Sequence, residues 1–183
     1  MSDSAERLPL LDPSSTPKEV HAALTRLPDI NLFRAMAGAT TLYPSFSEYM
    51  AKLFQDMELD AQTERLAVLL VGKLSDCHYV WRQNIVTAKS INISDEQIAA
   101  IERGELAASC FSPRQQAALT FTKDCVINIE VDDSVYDAST RELSSRMIAE
   151  LLYVVGTYMM ICRFARSGRV PLDKEPGPSP YVS

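Results

Sequence analysis

Histidine is scarce in this chain, with only His21 and His78, and no two of the four cysteines stand in a C-x-x-C spacing. Cys77, Cys110, Cys125 and Cys162 show no disulfide framework, so a reduced, cytoplasmic setting is expected. Two distant histidines without paired carboxylates give no metal constellation. Neither G-x-G-x-x-G nor G-x-x-x-x-G-K occurs, and serine hydrolase patterns are absent, so no cofactor is implied. Basic residues are scattered: 18 Lys and Arg stand against 24 Asp and Glu, net charge −6. That balance speaks against nucleic acid as a partner. An anionic metabolite remains admissible, because a few arginines can invert the sign inside a cleft. No apolar stretch reaches the ~18 residues of a membrane span. The longest, Ile148 to Cys162, is broken by Glu150 and reads as a buried helix. The first residues have neither a basic nor an apolar region, so a secretory signal is not expected.

What is present is helical punctuation from end to end. A chain of 183 residues fits one domain. Residues 1–17, with Pro9, Pro13 and Pro17, predict an extended arm, and residues 174–183 a loose proline-rich tail. Between them, residues 18–173 read as one all-α domain. Helices are predicted from Pro17 to Leu24, from Asn31 as a cap to Met36, and from Ser45 to Met57. Asp60 caps another to Leu74, and the Cys77 helix follows to Ile91. Ser94-Asp-Glu-Gln97 spells a capping box closed by Gly104, and Ser112-Pro113 opens a helix to Ile127. A short helix from Asp132 or Asp133 to Ala138 and a long one from Thr140 or Arg141 to Ser167 complete the series. Val126 to Val131 is the sole β-flavoured run and has no hairpin partner.

The densest chemistry lies in Cys77-His-Tyr-Val-Trp-Arg-Gln-Asn84. Helical periodicity predicts that Cys77, Val80, Trp81 and Asn84 look one way, with His78 and Arg82 at least a quarter turn aside. Cys77 is a ligand contact or nucleophile if Arg65, His78 or Arg82 supplies positive charge; its bland alternative is a small buried hydrophobe. Asn84 can steady a carbonyl or enolate oxygen but cannot move a proton. His78 is the natural acid/base near the motif, with Glu64 as its competitor. Arg65 and Arg82 suit an anionic group. Trp81 and Tyr79 are candidates for the wall of a binding pocket, and His21 for a surface residue.

Three pieces of the chain resemble the carboxymuconolactone decarboxylase and alkyl hydroperoxidase D superfamily. They are Asn31-Leu-Phe-Arg-Ala-Met-Ala, the paired helices from Glu64 through Ala88 with Cys-x-Tyr-x-Trp, and Tyr158-Met-Met-Ile-Cys-Arg onward to Val-Pro-Leu-Asp173. Their order and spacing agree across about residues 30–173. The resemblance implies an alkyl hydroperoxidase D-like helical bundle, a homo-oligomer, and a cofactor-free decarboxylase-like lyase or isomerase acting on a small acidic cyclic or polyketide-type metabolite. The departures are specific. The family's "RE" pair reads Glu64-Arg65 here, and a one-residue shift turns a helical side chain by roughly 100°. The second cysteine of the peroxidase-type members is Val80, and their histidine is Asn84. Two other functions therefore stay open: a binding or assembly protein with a decayed site, and a thiol-dependent peroxidase. The last needs a remote cysteine brought to Cys77 by folding.

Overall fold

A computed structural model describes residues 6–175, and among these every regular element is helical. Nine α-helices follow one another: α1 Lys18–Leu24, α2 Asn31–Met36, α3 Tyr43–Leu53, α4 Ala61–Leu74, α5 His78–Ser90, α6 Asp95–Arg103, α7 Pro113–Asn128, α8 Asp133–Ser139 and α9 Ser145–Ser167. The fold is the expected all-α bundle.

The hub is α4. Asp60 caps it by accepting the Thr63 N–H at 2.9 Å, and every residue from Thr63 to Gly72 is buried. A helix that is apolar nearly all round belongs in a core. Its Ala67, Val68 and Val71 join a large cluster with α1, α2, α3, α5 and α9. Its Leu66, Leu69 and Leu70 join a smaller one with Ile98, Ile101, Phe111 and Leu119. Both expected capping boxes form, at Ser94 with Gln97 and at Ser112 with Gln115. Gly104 ends α6 at φ 76°, in the left-handed region a residue without Cβ tolerates.

The turn from α4 to α5 positions the motif. Asp76 adopts φ 49°, and the Cys77 N–H closes onto Gly72 O at 2.8 Å. A Cβ on Gly72 would meet Val80 Cγ1 at 3.1 Å and the Trp81 N at 3.2 Å. Glycine thus lets the amino end of α5 press against α4.

Several boundaries differ from expectation. α3 begins at Tyr43, with Pro44 in its first turn, and is over by Leu53. α9 starts at Ser145, where Ser144 accepts the Met147 N–H at 3.1 Å and outcompetes the uncapped Thr140-Arg141 start. Asn31 is the first helical residue of α2 and not its cap; its N–H is taken by Asp173 Oδ1 at 2.9 Å. The β-flavoured run is helical through Asn128 and then turns at Ile129, φ 68°. Of the predicted amino-terminal arm, residues 1–5 lie outside the described residues; residues 6–17 are irregular apart from a 3-10 turn at Pro13–Ser15, and Leu8, Leu10 and Leu11 pack on the core. Of the predicted tail, residues 176–183 lie outside the described residues. α9 is long and apolar enough to cross a membrane, but here it packs inside the bundle against α2, α4, α5 and α7.

Candidate functional site

Five helices enclose a cavity of about 230 Å³. Leu32 and Phe33 of α2, Met50 of α3, and Val80 and Thr87 of α5 line it, as do Ile161 of α9 and Phe54 just after α3. Its polar groups are few: Arg65, Gln83, Asn84, Tyr79 and Tyr158, with Asp29 and Glu175 also in the lining. An apolar hollow with a few convergent polar groups is the usual form of a small-molecule site. Its size suits a ligand smaller than most drugs, whose sites run to ~300–1,000 Å³.

Arg65 dominates the wall. It is 1% exposed, the largest fully buried side chain described. Nη1 donates to Asn84 Oδ1 at 2.5 Å and to the Tyr158 hydroxyl at 3.3 Å. Nη2 lies 3.4 Å from Glu64 Oε2, and the guanidinium carbon sits 5.4 Å from the Phe54 ring centroid. Nε and Nη2 nevertheless have no hydrogen-bond partner, and neither has Glu64 Oε1. Burial alone pulls an arginine toward neutrality, but the negative charge of Glu64 and the Tyr158 hydroxyl more than offset it, so Arg65 stays charged. Burial pushes the Glu64 carboxyl up to about 7; Arg65 opposes this and Asp60 adds to it. Burial likewise raises Tyr158, which remains a neutral phenol able to donate.

A second polar tie seals one side. The Tyr79 hydroxyl donates to Asp173 Oδ2 and accepts the Leu32 N–H at 3.2 Å. Asp173 Oδ1 holds the Asn31 N–H, and Asn31 Nδ2 donates to Pro171 O at 3.2 Å. Burial, then the bond to Asp173, pushes Tyr79 up. The carboxy-terminal segment is thereby fastened across α2 and α5.

Behind the cavity wall, Cys77 of the α4–α5 turn and Cys162 of α9 are buried, unbridged members of the large core cluster. The Cys162 thiol lowers Cys77 to about 7 against the opposing effect of burial. The Val80 and Tyr79 N–H groups at the open end of α5, and Arg166, lower it further, although no N–H makes a full capping bond to the sulfur. Cys162 is raised, first because its proton is held by Cys77 and then by burial.

The structure gathers only part of the expected constellation. Arg65, Asn84 and Tyr79 line the cavity. Glu64 is buried beside Arg65 but is not in the lining, as the one-residue offset implies. His78 and Arg82 are exposed on the outer side of α5. Trp81 packs on the second core cluster, not with Val80 and Asn84, because Cys77 precedes the helix and the α5 stripe toward the cavity runs Val80, Asn84, Thr87. Asn84 ties the two motif helices together: Oδ1 accepts from Arg65, and one Nδ2 hydrogen goes to Val80 O at 2.8 Å. Tyr158 and Cys162 went unassigned in the sequence, since nothing in their spacing reveals which turn of α9 faces α4 and α5. Among the described residues no group of His, Cys, Asp and Glu could hold a metal ion.

No family model matches the chain, and no curated protein matches it significantly. Solved structures do. An uncharacterized peroxidase-related protein from Ralstonia eutropha, an alkylhydroperoxidase AhpD core, has a TM-score of 0.79 at 15% identity, covering 94% of this chain and 95% of that one. An uncharacterized peroxidase-related protein from Silicibacter sp. gives 0.78 at 17%, covering 96% and 97%. The debrominase Bmp8, as a cysteine-to-alanine variant in complex with 2,3,4-tribromopyrrole, gives 0.77 at 14%, covering 96% of each chain. At such identities the likeness shows the fold alone: an AhpD-like helical fold.

Proposed function

We propose that this chain is a cofactor-free enzyme, a decarboxylase-like lyase or isomerase, whose substrate is a small acidic cyclic or polyketide-type metabolite of a biosynthetic pathway. The observation that carries this reading is Arg65: a fully buried cation in the wall of an apolar cavity, with Nε and Nη2 lacking hydrogen-bond partners. Burying a charge is expensive, and a donor left without a partner costs roughly 1–3 kcal/mol more. An oxyanion in the cavity offsets both. A carboxylate, or the enolate left when CO2 departs, meets Arg65 while its carbon skeleton lies against Phe33, Met50 and Ile161. The Tyr158 hydroxyl is the proton donor that touches such a ligand. Asn84 acts through Arg65, and Glu64 tunes its charge.

That Bmp8 holds a halogenated pyrrole in the same fold supports a small, flat ligand, although its chemistry belongs to that protein. The chain is further proposed to act as a homo-oligomer, which the exposed Leu152, Tyr153 and Met160 on one side of α9 favour. The test is turnover: purified protein and Arg65→Met are mixed with a panel of β-keto and lactone acids while CO2 and product are followed. Release of CO2 by the native chain and not by the variant is expected. A folded native protein that binds acids without turning any over moves the reading to a non-catalytic binding protein.

A further inference from the structure

The cavity carries opposite charges at its two ends, and only the inner end enters the acid-binding reading. Arg65 and its neighbours Asn84 and Tyr158 are buried and form the floor. Lining residues that also meet solvent mark the mouth: Asp29 and Glu175 are exposed and Gln83 is half-buried. The mouth is acidic. Asp29 is fixed by Arg34, whose Nε and Nη2 each donate to one carboxylate oxygen at 2.6 Å. That pairing holds Asp29 below the usual carboxylate range, so it is ionised. Arg34 also feels the charges of Asp12 and Asp173. Asp173 stands one bond behind the lining, on the Tyr79 hydroxyl and the Asn31 N–H, two neutral donors that leave its charge in place. Among the described residues Glu175 has no ion-pair partner. Lys174, beside it, is exposed and outside the lining. Asp29, Asp173 and Glu175 outweigh Arg34, and an excess of negative charge remains even with Lys174 counted.

We infer that the ligand is a monocarboxylic acid bearing a hydrogen-bond donor at the end opposite its carboxylate, a protonated amine before a hydroxyl; this rests on the acid-binding reading of Arg65. The carboxylate enters first and meets the buried guanidinium. The far end then stays at the mouth among Glu175, Asp29 and the Gln83 side-chain carbonyl, all of them acceptors. A hydroxyl takes the same place with a smaller gain, because it carries no charge. A second carboxylate there meets like charge, and only the Gln83 amide N–H offers it a bond. A dicarboxylic acid of the same shape is therefore disfavoured. Arg65 acts in a low-dielectric floor and supplies affinity, whereas the mouth is wet and sorts ligands by smaller increments. A cavity of ~150 Å³ holds benzene. The present one, at about 230 Å³, takes one ring with a short substituent at each end.

The experiment is calorimetric titration of the full chain, at low ionic strength, with 4-(aminomethyl)benzoate, 4-(hydroxymethyl)benzoate, 4-methylbenzoate and terephthalate. Affinity is expected to fall in that order, by about tenfold from first to last, as one attraction and one repulsion at solvent-exposed charges supply. Glu175→Gln should narrow the spread and Glu175→Lys should close or reverse it, with 4-methylbenzoate bound as by the native chain. Glu175 is exposed and outside every helix, so neither change disturbs the fold. Equal affinities for all the probes, tightest binding of terephthalate, or a spread that survives Glu175→Lys overturns the proposal. In those cases, weaker binding of 4-methylbenzoate by Arg65→Met still upholds the acid-binding reading. If 4-methylbenzoate binds the native chain no more tightly than Arg65→Met, that reading falls and this inference falls with it.

Discussion

Arg65 Nη1 and Asn84 Oδ1 stand 2.5 Å apart, joining α4 to α5 across the cavity wall. With Oδ1 on the guanidinium and one Nδ2 hydrogen on Val80 O, Asn84 aims Arg65. Asn84→Asp should keep the acceptor and cancel the cation, so a small carboxylate probe such as benzoate should bind at least about tenfold more weakly, worth ~1.4 kcal/mol. Asn84→Ala, which loosens Arg65 and leaves its charge, should lose less. Calorimetric titration of the three proteins separates the two, and equal losses would count against an electrostatic role for Arg65.

Glu64 makes stability depend on pH. Its folded value is raised from 4.5 to about 7, so the folded chain holds this proton more tightly than the unfolded one. Its stabilising contribution is fully present below about 4.5 and is lost as pH rises through about 7. A shift of this size corresponds to a few kcal/mol, at ~1.4 kcal/mol per pH unit. Glu64→Gln mimics the protonated form, so the variant should match the native chain at pH 5 and exceed it at pH 8. Urea unfolding at both values measures the difference. A native excess at pH 8 would mean that the ion pair with Arg65 outweighs the burial of its carboxylate.

The same proton should report on ligand binding. When Glu64 is neutral, the positive charge of Arg65 is uncompensated and an anion meets its full field; when Glu64 is ionised, the pair is neutral. Affinity for a carboxylate whose own pKa lies below 5 should therefore rise as pH falls from 8 to 6, with proton uptake on binding. In Glu64→Gln the affinity should stay high and flat over that interval. Titrations in buffers of different ionisation enthalpy give the number of protons taken up, and zero uptake near pH 7 would sink the coupling.

Helix placement was legible in the sequence because its signals are local. Ser94 with Gln97, Ser112 with Pro113, Asp60 and Gly104 each mark an end within a turn of themselves. Cavity membership was less legible, because it depends on how helices distant in sequence are rotated against each other. Val80 and Asn84 share a face as the helical period implied, whereas Trp81 does not join them, since Cys77 sits before the helix and shifts the phase of the stripe; for Arg65 the sequence showed no inward face. Contacts across long separations left no trace at all. Nothing near Cys77 signals Cys162, and nothing near Tyr79 signals Asp173, 94 residues on.

Tyr79 was expected to bind substrate, and in the structure its hydroxyl proton goes to Asp173 Oδ2 while a lone pair accepts the Leu32 N–H. A group so engaged holds structure together. Tyr79→Phe should leave the buried Leu32 N–H without an acceptor and cost about 1–3 kcal/mol of stability. Benzoate affinity should change less than twofold, because the ring still lines the cavity. Asp173→Ala should cost a similar amount, since it also frees the Asn31 N–H. Because the two changes break one network, the double variant should cost clearly less than the sum of the singles. Hydrogen exchange gives the local readout: the amides of Asn31 and Leu32 should lose protection in Asp173→Ala, and Leu32 alone in Tyr79→Phe. Unchanged stability together with lost turnover in Tyr79→Phe would return the hydroxyl to the reaction and make the bond to Asp173 incidental.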